Sequence, residues 1–271
     1  MMSRGFADRM AAYLGVMRKL RSAGATPGSI VLFPIRRRLS NGRNVIVLRS
    51  GLRISSPPAE PLLHIFCEVW VEQRYILPSW EFAPGGTVID IGAHVGVFAL
   101  WAATRAPATR VICLEPSPVC FEYLCANAAA CRLDSIVTLH AACGAAGGTR
   151  TLYSRGVDAL NSLYTRDLLG SAFHALCQVP MLTLDDVFAR CSVEACDLLK
   201  LDCEGAEYEI LFAASPSTLA KVRRVALEYH VGLNEHGPGE LEQFLSDRGF
   251  DVQRTPLLDP EGGYMYAQRR R

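Results

Sequence analysis

The chain has 271 residues, half of them apolar, and a formal net charge of +1. That length and composition suit one sizeable core with an elaboration, and the near-balanced charge predicts no bulk attraction to nucleic acid or to an anionic lipid surface. The ten cysteines are scattered singly, without C-x-x-C spacing, zinc spacing or an apolar leader ahead of them, so they read as small buried hydrophobes of a cytoplasmic, reducing environment, and no stretch is long and apolar enough for a membrane span.

Met10 to Leu20 has the spacing of an amphipathic helix docked on the protein, and Arg36-Arg37-Arg38 reads as a solvated loop. Asn44 to Arg49 and Leu52 to Ile54 predict a hairpin around Ser50-Gly51, and beyond Pro57, Pro58 and Pro61 a helix runs from about Leu63 to Arg74. Together these form an N-terminal extension, residues 1–80, packed on a core domain of residues 81–271 that opens after Pro84-Gly85-Gly86.

Thr87 to Ile91 is a short β-branched run of the kind that fills a parallel strand covered on both faces. Gly92 and Gly96 allow a tight turn before Val97 to Thr104 continues as a helix. A dinucleotide fingerprint would place glycine where Asp90 stands. An anion there repels a pyrophosphate at the helix N-terminus but attracts an ammonium, and S-adenosylmethionine (SAM) has an ammonium and no phosphate. The next strand, Thr109 to Glu115, ends in an acid twenty-five positions after Asp90. Such an acid accepts hydrogen bonds from both ribose hydroxyls, a device shared by NAD and SAM folds, so Glu115 supports an adenosine ligand and Asp90 chooses between the two.

Strands and helices then alternate: helix Pro118 to Ala130, strand Ile136 to His140, strand Asp197 to Asp202, strand Val222 to His230, helix Gly239 to Arg248, and a closing antiparallel pair, Asp251 to Arg254 and Tyr264 to Gln268. This order predicts an α/β fold, a doubly wound Rossmann-like sheet, mostly parallel with an antiparallel C-terminal strand. Gly156 to Tyr164 is a polar insertion whose Asn161 and Ser162 are expected in an acceptor pocket, and Arg269-Arg270-Arg271 reads as a frayed tail.

The Asp197 to Asp202 strand carries a second concentration of chemistry. Alternation puts Lys200, Asp202 and Glu204 on one side; charges on a buried strand are costly unless paired or at the mouth of a site. Ligands of open α/β sheets bind at the carboxyl ends of the strands, where Asp202 and Glu204 fall, and Glu207 joins the first turn of the following helix. On the next strand Glu228 and His230 share one side at the same end.

The segments Val88 to Gly96, Leu114-Glu115-Pro116, Leu184 to Val187, Lys200-Leu-Asp-Cys-Glu-Gly-Ala-Glu207 and Glu228-Tyr229-His230 resemble the FkbM family of SAM-dependent methyltransferases. The resemblance implies a class I methyltransferase fold and O-methylation of a hydroxyl on a sugar, glycolipid or polyketide-type natural product. It implies SAM contacts from Asp90, Gly92, Ala93, His94, Gly96, Glu115 and Pro116. At His94 the sequence departs from the family's usual Asn, which makes that contact pH-sensitive. Methyl transfer to an alcohol needs in-line positioning and relief of the hydroxyl proton. Asp202 or His230 is the expected base, with Lys200 orienting the carboxylate or stabilising the alkoxide, and Asn161, Ser162, Glu204 and Glu228 are expected at the acceptor, a small molecule or glycan. The alternative is that Asp202, Glu204 and Glu228 hold Mg²⁺ and lower the pKa of a bound hydroxyl; a divalent metal is not expected. Two rivals from other classes are an NAD-dependent oxidoreductase, opposed by Asp90 and by the lack of a Tyr-x-x-x-Lys pair, and a non-catalytic scaffold, which would not need the acids at Asp90, Glu115 and Asp202.

Overall fold

A computed structural model describes residues 21–26, 42–154, 161–165, 173–256 and 262–270. The Met10 to Leu20 helix, the Arg36 to Arg38 cluster and residues 156–160 of the polar insertion lie outside them.

Within the extension the expected hairpin forms, β1 (Asn44–Val47) paired antiparallel with β2 (Arg53–Ser56). Asn44 then pins the proline turn, its amide donating to the Pro57 and Glu60 carbonyls at 2.9 Å each. The helix that follows is shorter than its sequence suggests: α1 (Leu62–Phe66) widens into a π-type turn at Cys67–Val71, and Gln73 in the left-handed region (φ 51°) reverses the chain. Such turns recur at functional sites. This one brings Trp70 to the start of the helix after the glycine turn, where its Nε1 donates to the Val97 carbonyl at 3.2 Å.

The core is built on β3 (Thr87–Ile91), α2 (Val97–Ala103), β4 (Arg110–Leu114), α3 (Pro118–Ala130) and β5 (Ile136–Leu139). A side sheet follows, of β6 (Ala142–Cys143), β7 (Gly148–Ser154) and β8 (His174–Leu182). The chain then returns through α4 (Leu184–Arg190), β9 (Leu198–Leu201), α5 (Glu207–Ala213), α6 (Pro216–Ala220), β10 (Arg224–His230), α7 (Pro238–Asp247), β11 (Phe250–Pro256) and β12 (Gly262–Arg269). The main sheet has the order β11-β12-β10-β9-β3-β4-β5. The five strands from β10 to β5 are parallel, and β12 runs antiparallel to both β10 and β11. This is the α/β Rossmann-like sheet that the alternation predicts.

Side chains alternate across this sheet into two cores. Ile89, Ile91, Leu199 and Leu201 pack into one, while Val88, Val111, Cys113 and Leu198 pack into the other. Each such fully buried aliphatic contributes about 1.5–3 kcal/mol relative to exposure, and Ile89→Ala would cost about 2–5 kcal/mol. Local signals start the helices: Ser117 accepts from Cys120 N–H ahead of Pro118, and Thr183 with Asp186 forms a reciprocal capping box on α4. The sequence does not announce the side sheet. Only Leu152, Val179, Met181 and Leu182 of β7 and β8 are fully buried, and Pro180, paired opposite Thr149, argues against a strand when read locally.

Candidate active site

The carboxyl ends of β3, β4, β9 and β10 open on a cleft of about 250 Å³, the position at which open α/β sheets bind ligands. At the end of β3, Gly92 (φ 74°) and Gly96 (φ 87°) adopt left-handed backbone. Packing demands them as well. A methyl group on Gly92 would stand 1.8 Å from the Asp202 carbonyl oxygen, and one on Gly96 would stand 2.7 Å from Leu124 of α3. Gly92, Ala93 and His94 line the cleft, whereas Gly96 lies behind it and starts α2.

The turn also aims backbone donors at Glu115. His94 N–H donates to Oε2 at 2.7 Å and Ser117 N–H donates to Oε1 at 2.8 Å. Burial pushes the Glu115 carboxyl up to about 7, against the pull of His94 and these two donors. Each carboxylate oxygen still has a lone pair for a ligand hydroxyl, and Glu115 and Pro116 both line the cleft.

Asp90 sits elsewhere than its sequence position suggests. It is fully buried under the turn and does not reach the cleft wall. Register places Lys200 of β9 beside it, and the Lys200 Nζ pairs with Asp90 Oδ1 at 3.1 Å while donating to the Gly92 carbonyl at 2.9 Å. Burial raises the Asp90 carboxyl, and Lys200 opposes the rise. The Lys200 ammonium in turn is held charged: burial would lower its pKa, but Asp90 and Asp202 overcome that and raise it. The cation that answers Asp90 is thus a side chain, and the pair fixes the floor of the cleft.

Above that floor Tyr75, from the extension, bridges two carboxylates. Its hydroxyl lies 2.8 Å from Asp202 Oδ2 and 3.1 Å from Glu228 Oε2. A hydroxyl has one proton, so it donates to one of them at a time. Their environments differ. Burial would raise Asp202, yet Lys200, at 3.6 Å, His230 and the Tyr75 hydrogen bond hold it below the usual carboxylate range. Glu228 is pushed up to about 7 by burial and by the charge of Asp202, against the pull of His230, Tyr264 and Tyr75. Both carboxylates line the cleft.

His230 stands behind this pair. Its Nδ1 lies 3.0 Å from Glu207 Oε1 and its Nε2 3.7 Å from Glu204 Oε2. Burial would lower its pKa, but these two carboxylates raise it well above that of a free imidazole. An imidazole already protonated cannot take a proton, so the geometry speaks against His230 as the base. Glu207 also accepts from Cys203 N–H (2.9 Å) and Gly205 N–H (3.0 Å), which ties the turn after β9 shut. Glu204, in left-handed backbone at φ 50°, reaches the cleft with its carboxyl raised to about 7, chiefly by burial. Ser162 does not line the cleft: its hydroxyl donates to the Glu204 carbonyl at 2.7 Å and braces that turn from behind, while Asn161 and Leu163 face the cleft. Among the described residues no group of three or more His, Cys, Asp or Glu side chains is arranged to hold a metal ion, so Asp202, Glu204 and Glu228 do not form the ligand set of the Mg²⁺ alternative.

Three site features have no clear signature in the sequence. Pro61, His64, Ile65, Glu68 and Tyr75 make one wall of the cleft from within the extension, so residues 81–271 do not enclose it alone. Glu60, buried, meets His94 Nε2 at 2.8 Å and binds the extension to the glycine turn. Asn127 of α3 joins β2 to that turn, accepting from Ser55 N–H at 2.9 Å and donating to the Val95 carbonyl at 2.8 Å. Glu60 and Asn127 each meet partners far away in sequence, and such pairs become visible only once the chain is folded.

Comparison with known proteins follows the geometry. The family model described as Methyltransferase FkbM domain matches residues 90–252, more than half of the chain. The 31-O-demethyl-FK506 methyltransferase FkbM of Streptomyces tacrolimicus is 28% identical, over 82% of this chain and 95% of that protein. Methyltransferase sdnD of Sordaria araneosa is 25% identical, over 70% of this chain and 82% of its own length. Among solved structures, Methyltransferase FkbM from Methylobacillus flagellatus superposes with a TM-score of 0.50 at 14% identity, covering 96% of this chain and 60% of that one; at that identity the likeness speaks for the fold. Among the described residues no helix is long and apolar enough to cross a membrane.

Proposed function

This chain belongs to the FkbM methyltransferase family, and from that premise we propose that it transfers a methyl group from SAM to a hydroxyl oxygen of a sugar, glycolipid or polyketide-type natural product. The observation that carries the reading is the pair of acidic stations along one cleft, Glu115 at the end of β4 and the Asp202–Tyr75–Glu228 group at the ends of β9 and β10. The name of the Streptomyces relative, 31-O-demethyl-FK506 methyltransferase, supports oxygen as the acceptor atom and a natural product as the substrate.

The residues present fit SAM. Glu115 has its backbone donors in place and lone pairs left for two ribose hydroxyls, and the carboxylates of Glu68, Asp202, Glu204 and Glu228 along the cleft suit a ligand carrying a sulfonium and an ammonium. When bound, that cofactor supplies a methyl group on a good leaving group: the acceptor oxygen forms its bond to the methyl carbon while sulfur keeps the electron pair of the broken bond.

The chain's own part is to orient the acceptor and take its proton. Glu228, raised to about 7 by burial and by Asp202, is matched to proton removal near neutral pH. Asp202, held ionised by Lys200 and Tyr75, accepts a hydrogen bond without competing for the proton. Two neighbouring carboxyls with pKa values pushed apart divide base and anchor roles in this way. The ten cysteines, none of them in a disulfide, accord with a reducing cytoplasm. The test is incubation with methyl-deuterated SAM and a panel of hydroxylated macrolides, glycosides and amines. A labelled methyl group found on oxygen supports the reading, and label found only on nitrogen or carbon overturns it.

A further inference from the structure

The net charge of +1 conceals a split. Residues 1–59 carry ten Arg and one Lys against a single acid, Asp8, while the other seventeen of the 28 basic residues share the rest of the chain with twenty-six of the 27 acids. We propose that the extension docks on an anionic phospholipid surface through the seam between the β1–β2 hairpin and α3. This stands apart from the methyl-transfer reading and does not involve the cleft.

Among the described residues the split has a place. Alternation along the hairpin, with Val45 opposite Ser55, puts Arg43 and Arg53 on the side that bears Ser55. That side faces α3: Ser55 Oγ donates to Asn127 Oδ1 at 2.8 Å, Arg43 lies 5.8 Å from the centroid of the Tyr123 ring, and Cys131 Sγ donates to the Arg53 carbonyl at 3.5 Å. Arg132 follows Cys131 in left-handed backbone at φ 53°. Beside the hairpin turn, Arg49 N–H donates to the Gly24 carbonyl at 2.8 Å and so brings in the turn that starts at Arg21. All five arginines are exposed, and the acids closest in sequence on α3 and its end are Glu122 and Asp134. Among the described residues the Arg–carboxylate ion pairs are made by Arg74, Arg150, Arg223, Arg254 and Arg270, and none by Arg21, Arg49, Arg53 or Arg132.

Like charges gathered on one face repel one another, and a surface of fixed anions relieves that repulsion. Nucleic acid and the acidic remainder of a second copy offer anions too, but the sequence attached to this face favours lipid. The chain leaves it after Thr26, whose N–H donates to the Val47 carbonyl at 2.9 Å, and returns to it at Gly42 ahead of β1. In between, the sequence reads Ile30-Val-Leu-Phe-Pro-Ile35 and then Arg36-Arg37-Arg38. Six residues without a polar side chain gain little from a duplex or an acidic protein face. A membrane interface takes apolar side chains below its headgroups and arginines at them.

The experiment sediments the whole protein with vesicles of phosphatidylcholine alone and of phosphatidylcholine mixed with phosphatidylglycerol. The protein should go down with the mixed vesicles and stay in solution with the neutral ones. Raising NaCl from about 0.1 M to about 1 M, which shortens the Debye length from about 10 Å to about 3 Å, should release it. Each arginine near an anionic surface is worth roughly fivefold in partitioning, so Arg49→Gln, Arg53→Gln and Arg132→Gln combined should weaken binding by roughly 100-fold, with a cooperative thermal transition showing that the variant is folded. Equal binding to neutral vesicles, binding indifferent to salt, or undiminished binding in the triple variant overturns the proposal. Fluorescence anisotropy with duplex DNA and RNA, and sedimentation velocity of the protein alone, cover the other occupants. Duplex binding without vesicle binding, or a salt-sensitive dimer that the triple variant abolishes, overturns it as well.

Discussion

Replacing Glu228 with Gln removes the proposed base while keeping the shape of the cleft and the Tyr75 contact at Oε2 or its amide equivalent. A positioned general base contributes about 10²–10⁴ in rate, so kcat should fall by that factor while SAM affinity stays within a few-fold. The pH dependence is sharper evidence. With the carboxyl near 7, about a tenth of the free enzyme is ionised at pH 6 and about nine tenths at pH 8, so kcat/KM should climb roughly tenfold over that interval and then level off. Glu228→Gln should flatten the climb. Tyr75→Phe should keep it but move it to higher pH, because the Tyr75 hydrogen bond favours the charged form of Glu228 and its loss leaves burial and Asp202 unopposed on that side. Initial rates of S-adenosylhomocysteine formation across pH 5.5–9 read all three proteins. A climb that persists in Glu228→Gln would show that another group takes the proton.

Glu115→Gln should weaken SAM by ~1.5–3 kcal/mol, the value of a hydrogen bond to a charged acceptor, because one amide nitrogen must face the His94 or Ser117 N–H or a ribose hydroxyl; calorimetry with undiminished affinity would remove Glu115 from the ligand. EDTA should leave turnover unchanged, since Asp202, Glu204 and Glu228 do not assemble a metal set among the described residues, and a loss restored by Mg²⁺ would revive the metal route. In the ligand-free protein Glu115, Glu204 and Glu228 all have folded-state carboxyls raised to about 7. Their contribution to stability is therefore complete below the ordinary carboxylate range and drains away as pH rises through 7. The thermal midpoint should drop between pH 5.5 and pH 8, less so in Glu228→Gln; a midpoint that rises over this interval would show that these carboxyls are not buried as described.

The main sheet was legible because each strand carries its own signal: a short apolar run such as Val88 to Ile91, a chemical residue at its end, and a glycine where the backbone must turn left-handed. Asp202 and Glu228 were legible for the same reason, at or near the ends of their strands, whereas Glu204 lies past the end of β9 in a turn with left-handed backbone, where alternation no longer applies. Pairing was not. Asp90 reads as an anion awaiting a cationic ligand, but β3 and β9 lie in register and give it Lys200. His230 reads as a candidate base until Glu207, twenty-three residues away, is seen to hold it. Tyr75 lies 127 residues from Asp202 and on the far side of an expected domain boundary, and no local pattern in the extension marks it as part of the cleft. The side sheet was hidden by Pro180 and by burial on one face only.

The most direct test is calorimetric titration of the purified protein with SAM, S-adenosylhomocysteine and NAD in separate cells. SAM and S-adenosylhomocysteine should bind at about micromolar Kd, roughly −8 kcal/mol, with a stoichiometry of one per chain, and NAD should give no heat of binding. Saturable binding of NAD with none of SAM would contradict the assignment of the cleft.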